Sequence, residues 1–163
     1  MNQDFVRTLG HLALGTRFKR LGDRMQQQAQ ELLATQDIHV PAAQLPLLAA
    51  VDRMGSASIG ALAQVLGVTQ PGVTRLVGKL ARAGLLQTGA AEGDRRVRTI
   101  RLTPTGQALM TRAKATAWPL MDAAVADLCA AAPGQVLPLL AGLEEALDAR
   151  PLVRRVDCGK GTP

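Results

Sequence analysis

Between residues 58 and 102 the apolar period of the chain changes once, from helical to alternating, and a few punctuation residues mark where. SIGALAQVLG opens on Ser58, a residue suited to cap a helix, and places Ile59, Leu62, Ala63 and Leu66 on one face. Gly67 follows where a helix end calls for a left-handed residue. Val68 reads as an apolar plug in the turn. Thr69 reads as the next cap, with Pro71 in the first turn, where its missing N–H costs nothing. The second helix, TQPGVTRLVGKLARAG, buries Val73, Leu76, Val77 and Leu80 and turns Gln70, Thr74, Arg75 and Lys79 outward before Gly84 ends it. Then the alternation begins. Residues 85–88 read as a strand, GAAEGDRR as a turn eased by Gly89 and Gly93, and residues 97–102 as a returning strand with Ile100 and Leu102 on one face.

Helices are expected on both sides of this segment. Asp4 is placed to cap a long first helix reaching about residue 34, with Leu9, Leu12, Leu14, Phe18, Leu21, Met25, Ala29 and Leu32 at helical spacing. TQDIHV reads as a loop, and Pro41 as the first turn of a helix to about Met54, ended by Gly55. Thr103 and Pro104 start another helix, continued by Leu109, Ala113, Ala117, Leu120, Ala124 and Leu128, with Pro119 expected to kink it. Pro133 and Gly134 separate it from a last helix over about 135–149. The tail from Pro151 lacks periodicity and is expected to fray. Only Phe5, Phe18 and Trp118 are aromatic, so the core must be built from Leu, Val and Ala in closely packed helices. The expected fold is mainly α with one small β-hairpin.

Charge is unevenly placed. Residues 69–101 hold seven basic side chains (Arg75, Lys79, Arg82, Arg95, Arg96, Arg98, Arg101) and two acidic ones, a net +5 against +6 for the whole chain. A local excess of this kind attracts a polyanion. No apolar run reaches the ~20 residues that span a bilayer, and the first residues do not resemble a secretory leader. Cys129 and Cys158 make no disulfide framework in a chain of 163 residues. A cytoplasmic location is expected.

Helix, glycine turn, helix and two-stranded hairpin, in that order, make a winged helix-turn-helix. A helix fits the major groove, where each base pair presents its own donor and acceptor pattern, and the second helix of such a pair is the one that enters. Its polar start (Thr69, Gln70, Pro71, Thr74) precedes Arg75 and Lys79. Gln pairs with adenine and Arg with guanine, each pair contributing ~1–3 kcal/mol of discrimination. Arg95, Arg96 and Arg98 at the hairpin tip are candidates for phosphate contacts or for a narrow minor groove, whose negative potential attracts arginine. The alternatives are a solvated helix face for Arg75 and Lys79 and a merely solubilising charged loop for the three hairpin arginines. Asp94 reads equally as an ordinary turn residue. Arg101 reads as structural or peripheral, and Arg17, Lys19, Arg20 and Arg24 as a solvated or dimer-flanking face.

Residues 58–109, and above all VTQPGVTRLVGKLARAGLL and GDRRVRTIRLTPTG with Asp94 and Arg96 in D-x-R spacing, resemble the winged-helix core of the MarR family. The resemblance extends loosely over about 145 residues and excludes the tail. It implies a single domain over residues 1–150, with a DNA-binding core at about 41–109, dimerisation helices at 1–34 and 104–149, and a flexible tail at 151–163. It implies a homodimer on a pseudo-palindromic operator, with DNA contacts at Gln70, Pro71, Thr74, Arg75 and Arg96, and Asp94 orienting the wing arginine. It further implies a transcriptional regulator, a repressor released by a small-molecule effector. Gly72 and Gly78 depart from the helix formers usual in this helix, at up to ~1 kcal/mol each, which points to close backbone approach or to a loose helix.

Other classes leave weaker traces. A thiol redox sensor of this family uses a cysteine near the N-terminus, which this chain lacks. An interaction module would use the same basic face for an acidic protein partner. No nucleophile–base pair or phosphate-cradling loop is present, so no enzymatic activity is expected. His11 and His39 lack partners at metal-ligand spacing, so neither a metal nor another cofactor is expected. Trp118, Met121, Phe18 and His11 are candidates for lining a cavity between long helices, although residues at that spacing are more commonly core.

Overall fold

The computed structural model describes residues 4–91, 94–132 and 134–156, with the backbone alone at 90–91 and 94–97. The chain divides into two compact units, Met1–Met121 and Asp122–Pro163. The first unit carries the helix-turn-helix and the hairpin.

The long first helix is broken. The Asp4 carboxylate caps α1 (Phe5–Thr8), accepting from the Val6 N–H at 3.2 Å. Gly10 then takes φ 55°, and a 3-10 turn (Gly10–Ala13) precedes α2 (Leu14–Thr35). A left-handed residue cannot lie inside an α-helix, so Gly10 resets the chain. The next start is also later than the sequence predicts. Pro41 stays extended, a 3-10 turn (Ala42–Gln44) follows, and α3 (Leu45–Met54) carries Pro46 in its first turn. A helix begun at Pro41 would press the Pro46 ring against the carbonyl four residues back.

From Gly55 the elements follow the expected order: α4 (Ile59–Leu66), α5 (Gln70–Arg82), an antiparallel hairpin of β1 (Leu86–Ala91) and β2 (Asp94–Leu102), then α6 (Pro104–Ala115) and α7 (Ala117–Ala130). The core centres on α3, whose Leu47, Leu48 and Val51 are fully buried against Leu33, Leu62, Val73, Leu80, Ile100 and Met110. Each such side chain contributes ~1.5–3 kcal/mol by leaving water. Trp118 and Met121 pack partly buried against this core, while His11 and Phe18 are exposed.

α6 is fixed to the hairpin by Thr103. Its Oγ1 accepts from the Gly106 N–H at 3.0 Å and donates to the Gly84 carbonyl at 2.6 Å. The expected kinked helix is instead two helices. The backbone leaves helical geometry at Thr116 (φ −121°), and Pro119 lies in the first turn of α7. There its absent N–H is harmless, whereas within one continuous helix its ring would meet the Ala115 carbonyl.

In the second unit Gly134 (φ 89°) precedes α8 (Val136–Ala149). The chain beyond Pro151 is ordered further than periodicity predicts. A 3-10 turn (Leu152–Arg154) brings the Arg155 guanidinium onto the carbonyls of Arg150 and Ala146, satisfying acceptors at the end of α8. Pro133 and residues 157–163, including Cys158, lie outside the described residues.

Candidate nucleic-acid interface

The turn between α4 and α5 is built by side-chain caps. Ser58 Oγ accepts from the Ala61 N–H at 3.2 Å at the start of α4. Gly67 closes that helix in the left-handed region (φ 63°), as its position predicts. Thr69 Oγ1 then accepts from the Gly72 N–H at 3.3 Å, opening α5 with Pro71 in its first turn. Each cap contributes ~1 kcal/mol. Val68 departs from expectation: it is 45% exposed and plugs nothing. Its N–H bonds to the Ala63 carbonyl at 3.1 Å, so the backbone of the turn is satisfied without burying the side chain.

α5 is sharply two-faced. Val73, Val77 and Leu80 are buried, with Leu76 half-buried beside them. Gln70, Pro71, Thr74, Arg75, Gly78, Lys79 and Arg82 are all exposed. The Thr74 hydroxyl donates to the Gln70 carbonyl at 2.9 Å. Gln70 lies near Gly60 at the start of α4. Among the described residues no carboxylate lies within ion-pair distance of Arg75, Lys79 or Arg82. Arg82 shares this face without belonging to the expected set of DNA-contacting residues. Its spacing of seven from Arg75 and three from Lys79 is the sequence signal that places it there.

The hairpin is longer than the alternation predicts. Gly89, Ala90 and Ala91 belong to β1, Gly89 pairs with Thr99, Ala90 with Arg98 and Ala91 with Asp94, and the register shifts between Ala90 and Ala91. The expected turn is therefore strand except at Glu92 and Gly93, which lie outside the described residues. Ile100 is buried and Leu102 half-buried, as expected of one face, and Arg98 is exposed. Asp94, Arg95 and Arg96 lie on β2, and their side chains fall outside the described residues, as does any bond between Asp94 and Arg96. At its base β2 pairs with Ala57, directly before the Ser58 cap, so the wing and the helix pair share one frame.

These elements have a known counterpart. Residues 40–97, spanning α3 to the hairpin, match the MarR family model. Over this segment the chain is similar to the MarR family. Its fold is that of solved MarR-family structures. It is similar to MarR from E. coli in complex with operator DNA, at 20% identity and TM-score 0.68, covering 82% of this chain and 93% of that one. BpsR from Bordetella bronchiseptica is similar at 22% identity and TM-score 0.66, covering 83% and 93%. BldR from Sulfolobus solfataricus is similar at 23% identity and TM-score 0.61, covering 85% and 94%. Comparison with curated proteins gives no match.

A second basic feature lies on α1 and α2. A groove of about 460 Å³ is lined by Arg7, Arg17, Arg20 and Arg24 together with Asp4, Leu14, Phe18 and Leu21. Arg20 is bound to Asp4 through two hydrogen bonds of 2.6 and 3.2 Å, and this bonding holds the Asp4 carboxyl below its ordinary range. Lys19 pairs with Asp23 at 2.7 Å. This charge is thus partly neutralised within the chain, unlike that of α5.

Proposed function

We propose that this protein is a MarR-family regulator, a sequence-specific, homodimeric repressor that inserts α5 into the major groove of an operator and is released by a small-molecule effector. The observation that carries the proposal is the outward face of α5. It offers Gln70, Thr74, Arg75 and Lys79 together, all exposed, with no carboxylate among the described residues to neutralise the two cations. A polyanionic duplex supplies that missing charge. Gln70 and Arg75 read bases, Pro71 and Thr69 set the helix start against the backbone, and Lys79 contacts phosphate. Arg95, Arg96 and Arg98 extend the contact from the hairpin, with Asp94 orienting Arg96.

Dimerisation through residues 1–34 and 104–149 is supported by exposed apolar side chains. Leu12 is 91% exposed, and Phe5, Leu137 and Leu139 are exposed as well. Exposed apolar side chains on these helices offer surface for another chain to cover. Release by an effector follows the similarity to BpsR, whose DNA binding is regulated by 6-hydroxynicotinic acid.

Selection of bound duplexes from a random pool tests the reading. A two-fold related motif with half-sites about one helical turn apart is expected. A pool that stays unenriched at physiological salt would overturn it in favour of an acidic protein partner.

A further inference from the structure

Gly78 has no reason to be glycine within the fold. It lies inside α5, one turn beyond Thr74 and one turn before Arg82, on the exposed side opposite Val73, Val77 and Leu80. Its φ is not in the left-handed region, so the backbone does not require glycine. A Cβ built there meets nothing within 4 Å among the described residues, so their packing does not require it either. Gly72, in the same helix, is different: a Cβ there would come within 3.2 Å of Thr69 Oγ1, the cap oxygen that holds its own N–H. Glycine at an exposed helix interior disfavours the helix about fivefold relative to alanine. The chain accepts that loss at the centre of the face, with Arg75, Lys79 and Arg82 along one flank and Gln70 and Thr74 along the other.

We propose that Gly78 is a close-approach position, where the backbone of α5 rests directly against a base-pair edge on the floor of the major groove. The inference depends on the reading of α5 as the DNA-entering helix and adds a determinant to it. The flanking side chains reach the groove walls and neighbouring bases, while position 78 must stay bare for the helix to seat deeply enough for Gln70 and Arg75 to make their contacts. Specificity is then set partly by an absent side chain.

The test is a size series, Gly78→Ala, Gly78→Ser and Gly78→Val, in the full chain, with binding to the selected duplex measured beside thermal unfolding. Alanine is expected to raise Tm by about 2–4 °C and to weaken specific binding about tenfold. Valine, which favours the helix less than alanine but is larger, is expected to weaken binding further. A loss that follows helix propensity instead, worst for alanine and milder for valine, would mean that Gly78 serves as a hinge and would overturn the proposal. So would a series that binds as the parent does. Arg75→Ala on the same duplex separates the two readings. If Arg75→Ala binds more weakly and the Gly78 series does not, only the close approach fails. If the parent binds no duplex at all, both fail.

Discussion

Ala57 and Ile100 exchange both of their backbone hydrogen bonds, Ala57 N–H to the Ile100 carbonyl at 3.0 Å and Ile100 N–H to the Ala57 carbonyl at 2.8 Å. The pair joins the wing to the residue directly before the α4 cap. A hairpin alone is marginally stable in water, and here its base is paired on a third side and its Ile100 side chain is 1% exposed within the core. Wing position is therefore a property of the core.

Ile100→Ala should accordingly behave as a core deletion, costing ~2–5 kcal/mol, with Ile100→Val costing ~0.5–1.5 kcal/mol. Urea unfolding of the two variants measures both. A loss for alanine below that of an ordinary Ile→Val change would show that the wing base is held by its backbone pairing alone.

Gly106 makes a sharper prediction. A Cβ at this position would run into the Leu85 carbonyl and approach Leu102 Cδ2 at 3.2 Å. Helix propensity favours alanine over glycine, yet the neighbour here is backbone and cannot rotate away. Gly106→Ala should therefore destabilise the protein by ~1–3 kcal/mol, as overpacking does. Thr103→Ala, which removes the hydroxyl holding the same helix start, should cost ~0.5–2 kcal/mol. Unchanged unfolding midpoints in both variants would mean that the junction of hairpin and α6 is not rigid.

Acid stability provides a third. His39 Nε2 lies 2.8 Å from Asp37 Oδ1, and Arg112 reaches Asp37 Oδ2 at 3.1 Å and the Asp37 carbonyl at 2.8 Å. The hydrogen bond with His39, then the charge of Arg112, holds the Asp37 carboxyl below its ordinary value of 3.8. A lowered folded value means that the unfolded chain takes up the proton first as pH falls. The contribution is complete above the ordinary carboxylate value and is lost as pH drops through the folded one. Asp37→Asn keeps a residue that tolerates the local φ of 55° but removes the titration. Tm between pH 6 and 3 should fall less steeply in that variant than in the parent. Parallel curves would show that solvent screens the exposed cluster completely.

How far the sequence carries follows from where the decisive interactions lie. Ser58, Gly67, Thr69, Thr103 and Pro104 act on their own helix ends, through bonds spanning a few residues, and all stand at the helix starts and stops that their types predict. The α5 face is legible for the same reason, because helical period alone separates Val73 and Val77 from Arg75 and Lys79. Prolines at 46 and 119 mislead, since each suits a helix interior only if its clash four residues back is overlooked. Hairpin length depends on cross-strand pairing of Gly89 with Thr99, which no local pattern announces. Exposed Val68 shows the same limit: an apolar turn residue is buried only if something packs over it, and among the described residues Val68 stays 45% exposed.

Base reading and charge neutralisation should separate cleanly between α5 and the wing. Under the proposed function the exposed Arg75 makes a bidentate contact with guanine, so Arg75→Ala should cost ~1–3 kcal/mol on the preferred site and relax selectivity at one position. Arg96 on β2 is assigned to phosphate or minor-groove contact. Arg96→Ala should weaken all duplexes more evenly and lower the slope of log K against log salt by about 0.9 for each phosphate that is no longer neutralised. In the proposed dimer both copies carry the change, so each effect is doubled on a two-fold site. Titration of the two variants and the parent against the selected duplex and a scrambled one, at about 50 and 200 mM salt, where such slopes are steep, separates the two effects. Equal losses on both duplexes for Arg75→Ala would show that this side chain supplies charge alone, and base reading would then rest on Gln70 and its neighbours at the start of α5.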